Sequence, residues 1–399
     1  MGVRRRDMFR VGSNAPPEDA ISASDLALSP TLTLSTTAIF DGHNGPRLAE
    51  FLAVGLPVVV RSLVQDVFEV GTHADIARRL RLGDLPDPTP PDEEVDAAIK
   101  QAFRGLDEVI VHESARLVLG LMLTRAEALE ELYGAYAGSC AVMTLFNPKD
   151  RTLRVALTGD SRAVYGRRVP APPAPSSSQT SSSQTSQTTT SKPTSTPSST
   201  SPQPQTPAYT HIYRAERLTA DQTPSNPTEV ALISSQHPSE PPSALFKNGR
   251  FLGWGPTRAF GDGSMKWPVP IQRALYNLGF FGDRVREDEV KTPPYMTAEP
   301  VVTRREGVEK GDFVVLGSDG LWECLTDEEV VGLVGVWLEE RGVKERFVLD
   351  PGDANVAAHV VRNALGGADA DLREALCALE GGRGRRFRDD ISVVVVFFD

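Results

Sequence analysis

The chain has 399 residues, 40% of them hydrophobic, and 53 acids against 42 lysines and arginines, for a formal net charge of -11. That apolar content supports a sizeable core, while the acidic balance disfavours a nucleic-acid partner and suits a cation or a basic protein surface. Cys140, Cys324 and Cys377 are too few and too scattered for a disulfide framework or a zinc site, which points to a reducing compartment, and no stretch reads as a membrane span or a secretory h-region.

The opening MGVRRRDMFR is basic. Residues 1–8 read as a short frayed segment ahead of the domain, too short for a convincing transit peptide. Gly2 follows Met1, but Arg6 stands where a myristoylation signal needs Ser or Thr. In chain order, hydrophobic periodicity then predicts a strand over 34–40, helices over 46–64, 93–110 and 113–134, and strands over 141–146, 152–158 and 162–166. Residues 170–207 are Ser, Thr, Pro and Gln with almost no large apolar side chain, so this stretch reads as a disordered insertion. Strand-like sequence on both sides, and the slow growth of closure entropy with loop length, place it inside one domain spanning 9–398. Strands over 209–214 and 312–316, amphipathic helices over 327–341 and 354–365 and a last strand over 391–398 follow. Strands and helices grouped in runs, without strict alternation, point to an α+β fold with an antiparallel sheet.

Acids stand at the ends of several strands. Asp41 follows TTAIF, Asp319 follows DFVVLGS and Asp389 precedes ISVVVVFF. In an antiparallel sheet the end of one strand and the start of its neighbour share an edge, so these acids can meet at one rim. Asp160, at the expected hairpin tip of LTGDSRAV, and Glu18 with Asp19, closing FRVGSNAPPED, can join them. Carboxylates so gathered raise one another's pKa unless a cation neutralises them, and all-oxygen ligands favour Mg²⁺ or Mn²⁺ over zinc or copper.

FDGHNG, GDSRA, TRAFGD, LGSDGLWE and RDDIS, in that order, resemble the motif set of the metal-dependent type 2C (PPM-type) protein serine/threonine phosphatases. SNAPPED, FGDGSMKW, PPYMTAEP, the doubled acid of RDDIS and NVAAHVVRNALGG are similar to the pyruvate dehydrogenase phosphatase branch, including its fungal members. The resemblance implies a β-sandwich of two antiparallel sheets flanked by helices, with a two-metal centre at one end. Position by position, it implies that Asp41 bridges two Mg²⁺ or Mn²⁺ ions, that the Gly42 carbonyl binds one of them, and that Asp319 and Asp389 complete the other. Glu18 and Asp19 would act on metal-bound waters, and Asp160 with Glu323 would hold a third, weaker ion. The implied reaction is attack of a metal-bridging hydroxide on a phosphoserine or phosphothreonine of a phosphoprotein, with no phosphoenzyme. His43, two residues past the bridging acid, is placed to protonate the leaving oxygen. The branch implies the pyruvate dehydrogenase E1 subunit as substrate and the mitochondrion as compartment, with the cytoplasm as the alternative.

One position departs from the family. Asn14 stands where many members carry a phosphate-binding Arg; the mitochondrial branch it resembles also lacks that Arg, so Asn14 reads as a branch feature, though an Asn brings a hydrogen bond but no charge. That substitution supports a second reading, a pseudophosphatase serving as a binding module. Arg162 and Arg258 are expected to hold their own turns, and Phe280 and Phe281 either to line a substrate flap or to pack it down. CALEGGR, Cys377 to Arg383, spells C-x5-R, the pattern of a cysteine phosphatase, but it falls in a helical stretch and carries Glu380 where a phosphate would sit.

Overall fold

The structure, a computed structural model, describes residues 2–13, 15–82, 90–171, 211–279, 287–344, 355–379 and 381–399. The chain opens with β1 (Val3–Val11), β2 (Ala20–Ser29) and β3 (Leu32–His43), then α1 (Arg47–Leu82) and α2 (Asp92–Glu108). A wider π-helical turn, Val109–Glu113, leads into α3 (Ser114–Gly120), followed by α4 (Arg125–Tyr136). Strands β4 (Gly138–Asn147), β5 (Thr152–Thr158), β6 (Arg162–Pro170) and β7 (His211–Arg217) come next. A smaller region holds α5 (Pro227–Gln236), α6 (Pro242–Leu245), the short pair β8 (Phe246–Lys247) and β9 (Arg250–Phe251), β10 (Phe260–Gly261) and α7 (Val269–Asn277). The chain closes with β11 (Val301–Arg305), β12 (Phe313–Gly317), α8 (Asp319–Trp322), α9 (Asp327–Lys344), α10 (Val356–Ala364), α11 (Ala370–Ala378) and β13 (Ile391–Phe398).

Two antiparallel sheets result, ordered β1-β13-β12-β6-β7 and β11-β5-β4-β3-β2, with β10 paired to β4. Alternation along the central strands explains why both faces of each sheet are dry. Val394, Val396 and Phe398 of β13 meet Ile39, Val142 and Leu157 between the sheets. Val393, Val395 and Phe397 face the layer of α9 and α10. On β3, Ile39 points into the sandwich while Ala38 and Phe40 face α1, α2 and α4. The α+β sandwich flanked by helices is therefore as expected.

Several details are not. Residues 3–8, expected to be a frayed start, belong to β1, which pairs with β13 from Val3 opposite Phe398 to Val11 opposite Ile391. The expected single helix over 113–134 is broken at 121–124, because Thr124 and Glu127 form a capping box that starts α4 afresh. The expected helix over 46–64 runs on to Leu82 through Pro57. Within it Arg47–Glu69 is long and apolar enough to cross a membrane, contrary to the expectation that no stretch is. Leu48, Leu52, Leu56, Val60 and Val64, spaced four apart, bury one face of that segment in the core beside sheet β11-β2, while Phe51, Val54 and Val58 are exposed. Residues 172–207 of the expected insertion, and Phe280 and Phe281, lie outside the described residues.

Candidate metal centre

The acids reach one end of the sandwich by two routes. Asp41 lies near the end of β3, opposite Cys140 of β4. Asp319 opens α8 just after β12, and Asp389 stands two residues before β13 begins. With Gly317 of β12 opposite Val393 of β13, Asp319 and Asp389 share one edge, as strand-end geometry requires. The remaining acids sit on connections between the sheets. Glu18 and Asp19 join β1 to β2, and Asp160 joins β5 to β6. Asp160 is thus not at a hairpin tip: β5 and β6 belong to different sheets, and their connection carries the acid across the mouth of the sandwich.

Carboxylate oxygens of Asp41, Asp160 and Asp319 lie within 4.8 Å of one another. The Asp319 backbone N–H points at Asp41 Oδ2 from 3.4 Å. Asp319 Oδ1 and Asp19 Oδ2 are buried without any hydrogen-bond partner. Burial, followed by repulsion from one another and from their acidic neighbours, holds the Asp41 and Asp319 carboxyls well above the ordinary range. Burial likewise pushes Asp19 up to about 7, with Ser392 and Ser318 opposing the shift and Asp390 and Asp389 adding to it. Asp160 is raised by burial against the opposing hydrogen bond from the Cys140 thiol, 3.2 Å away. Orphaned oxygens, crowded acids and an all-oxygen donor set are what a hard divalent cation requires, so these residues fit Mg²⁺ or Mn²⁺.

The other expected residues surround that trio. Asp389 Oδ1 accepts from Arg385 Nη1 at 2.5 Å and from the Asp390 N–H at 2.7 Å. Glu18 Oε1 accepts from the Gly45 N–H at 2.6 Å. Glu323 is exposed, one turn beyond Asp319, and its charge helps to raise that carboxyl. Gly42 is buried, and a Cβ there would stand 2.4 Å from the Glu18 carbonyl oxygen, so only glycine lets β3 pass the Glu18 backbone. Asn44 has φ 60°, a left-handed conformation that Asn tolerates, which accounts for its place in DGHNG. Asn14 lies outside the described residues.

His43 is held by a residue the sequence reading did not single out. Its Nε2 lies 2.9 and 3.0 Å from the two oxygens of Asp262, and its ring faces Trp254 at 5.4 Å. Burial alone would lower the imidazole pKa, but Asp262, with Asp160 and Glu18 behind it, outweighs burial and raises it. Asp107 steadies the Asp262 turn by accepting from the Gly261 N–H at 2.9 Å and from Lys266 Nζ at 2.6 Å. Asp390 was also overlooked as a site residue. Buried, it accepts from Ser13 Oγ at 2.8 Å and from the Glu18 N–H at 2.6 Å, which ties the Glu18 loop to the start of β13. The signal for both was present as the last acid of TRAFGD and the second acid of RDDIS. Arg162 and Arg258 are structural, though not within their own turns. Arg162 pairs with Asp221 and Asp327, and Arg258 with Glu229.

Comparison with known proteins places this geometry. The family described as Protein phosphatase 2C matches residues 209–367. A protein phosphatase 2C homolog of Schizosaccharomyces pombe is 31% identical over 100% of this chain and 81% of its own length. The chain belongs to the protein phosphatase 2C family. It is therefore a metal-dependent protein serine/threonine phosphatase, and it stands near the pyruvate dehydrogenase phosphatase branch. The mitochondrial pyruvate dehydrogenase phosphatase 1 of Saccharomyces cerevisiae is 30% identical over 100% of this chain and 69% of that one. The human mitochondrial pyruvate dehydrogenase phosphatase 2 is 32% identical over 46% of this chain and 40% of that one. A solved structure, that of a Caenorhabditis elegans sex determining protein, is similar in fold alone, with a TM-score of 0.50 at 17% identity over 100% of this chain and 65% of that one. Cys377, exposed within α11, sits on a helix and not on a phosphate-wrapping loop.

Proposed function

We propose that the centre holds Mg²⁺ or Mn²⁺ through Asp41, the Gly42 carbonyl, Asp319 and Asp389. Glu18 and Asp19 act through water, and Asp160 with Glu323 serves a further ion. The observation that carries this is the convergence of Asp41, Asp160 and Asp319 oxygens within 4.8 Å, beside buried carboxylate oxygens that nothing satisfies. Divalent ions, when bound, neutralise this charge, lower the pKa of water and clamp phosphoryl oxygens. The chain's own residues do the rest. Asp262 keeps His43 protonated by engaging Nε2, leaving Nδ1 to donate to the departing serine or threonine oxygen. Buried Asp390 keeps Glu18 facing the centre through the backbone.

The substrate in this reading is the phosphorylated E1 subunit of pyruvate dehydrogenase, and the compartment is the mitochondrion. Relatives named as mitochondrial pyruvate dehydrogenase phosphatases, similar over the whole chain, support it. The test is dephosphorylation of phosphorylated E1 against an unrelated phosphoprotein by the purified chain. A marked preference for E1 is expected; equal rates on both, with the chain found in the cytoplasm on cell fractionation, would contradict this assignment.

A further inference from the structure

Bound divalent ions would clamp some oxygens of the phosphate dianion, and a protein cation that faces the substrate without being consumed by a structural partner can hold the others. The arginines near this end of the fold differ in how they are engaged. Arg162 is taken up by Asp221 and Asp327, Arg258 by Glu229 and the Glu299 carbonyl, and Arg10 donates to the Asp19 carbonyl. Arg388 donates to the carbonyls of Gly12 and Leu376. Arg385 is placed otherwise. Its Nη1 lies 2.5 Å from Asp389 Oδ1 and 3.6 Å from Glu18 Oε2, while the side chain remains 41% exposed. Both contacts run through Nη1, and a guanidinium carries five N–H donors in a planar fork.

The turn bearing Arg385 is packed in position. Gly384 lies so close that an added Cβ would stand 2.7 Å from the Leu379 carbonyl oxygen and 2.8 Å from that of Ser13. Arg388, three residues on, clamps the same turn to Gly12 at 2.6 Å. Gly384, next to Arg385, thus packs against Ser13, the residue that precedes the neutral Asn14 in the sequence.

We infer that Arg385 is the substrate-binding cation of this phosphatase, its free guanidinium edge receiving the phosphoryl oxygens of the phosphoprotein and of the phosphate product. The inference rests on the metal-centre reading given above. A planar fork matches a phosphate in a way an ammonium does not, so lysine is an incomplete substitute.

The experiment uses the full chain as wild type, Arg385→Ala and Arg385→Lys. Inorganic phosphate is titrated calorimetrically into Mn²⁺-saturated protein, Mn²⁺ into metal-free protein, and KM and kcat are measured on a phosphothreonine peptide. Arg385→Ala is expected to weaken phosphate binding about tenfold and to raise KM by a similar factor, with no loss of Mn²⁺ affinity and with Arg385→Lys intermediate. Unchanged phosphate affinity in Arg385→Ala would overturn the inference. So would a fall in phosphate affinity matched by a fall in Mn²⁺ affinity, which would make Arg385 a support for the metal ligands. If wild type itself neither binds Mn²⁺ nor releases phosphate, the metal-centre reading fails and this inference with it. A wild type that does both, beside an Arg385→Ala variant that binds phosphate normally, removes Arg385 alone.

Discussion

A histidine that must carry a proton near neutral pH has to resist the burial that would strip it away, and at His43 that resistance comes from Asp262. The sign of the pH effect follows. In the proposed role the protonated ring is the active form, so activity is expected to fall as pH rises through the His43 pKa. Asp262→Asn removes the main influence raising that pKa and moves the alkaline limb of the kcat profile to lower pH, a shift read by rate measurements between pH 6 and 9. An unmoved limb would show that Asp262 does not govern the proton. His43→Ala is expected to cut kcat by roughly 10²–10⁴-fold with Mn²⁺ affinity retained, since a general acid contributes about that much. Asp41, Asp319 and Asp389 were legible in the sequence because an acid at the end of a continuous apolar run is conspicuous. Asp262 and Asp390 were not, because what identifies them are partners 219 and 372 residues away in the chain, His43 and the Glu18 backbone.

Of the strands that went unpredicted, β1, β2 and β11 are sheet edges, and β8, β9 and β10 are only two residues long. Central strands such as β13 bury both faces and read as unbroken apolar runs, whereas edges carry charged and polar residues and lose that signal. In β1 the alternation is masked by Arg4, Arg5, Arg6 and Arg10, yet the strand pairs along the whole of β13. Its buried Asp7 also accepts from the Val356 N–H at 2.8 Å, at the start of α10. Deleting residues 2–11 is therefore expected to remove cooperative unfolding altogether, as followed by calorimetry; an unchanged melting temperature would mean the segment is the dispensable tail its composition suggested. The smaller region is held together by the buried pair of Arg258 and Glu229, linked at 2.7 Å, and Arg258 also donates to the Glu299 carbonyl just ahead of β11. Arg258→Ala leaves the Glu229 charge buried and unpaired, and a loss of about 3–5 kcal/mol is expected from urea unfolding.

For the molecule as a whole, the centre sets function against stability. Asp41, Asp19, Asp160 and Asp319 bind protons more readily folded than unfolded. A carboxyl with a raised folded pKa makes stability fall as pH rises from its unfolded value toward its folded one, and for Asp19 that window runs from 3.8 to about 7. The metal-free chain is accordingly expected to melt at a lower temperature at pH 8 than at pH 5.5, and saturating Mn²⁺ to raise the melting temperature at pH 8, since a ligand that binds only the folded state stabilises it. A metal-free chain equally stable at both pH values would contradict this. The fold class was readable from grouped strands and helices, but the delivery of Glu18, Asp19 and Asp160 on connections between the sheets was not. Strand pairing is a long-range property, and no local pattern tells a hairpin turn from a crossing between sheets.

The most direct test of the central claim is phosphate release from a phosphothreonine peptide by the purified chain, with Mn²⁺ or Mg²⁺, with EDTA, and beside Asp319→Asn. The account predicts release that needs the metal and is lost in Asp319→Asn, while the metal-free variant melts above metal-free wild type at pH 8 because one repelling carboxylate is gone. Release that survives EDTA, or an Asp319→Asn variant as active as wild type, would contradict it.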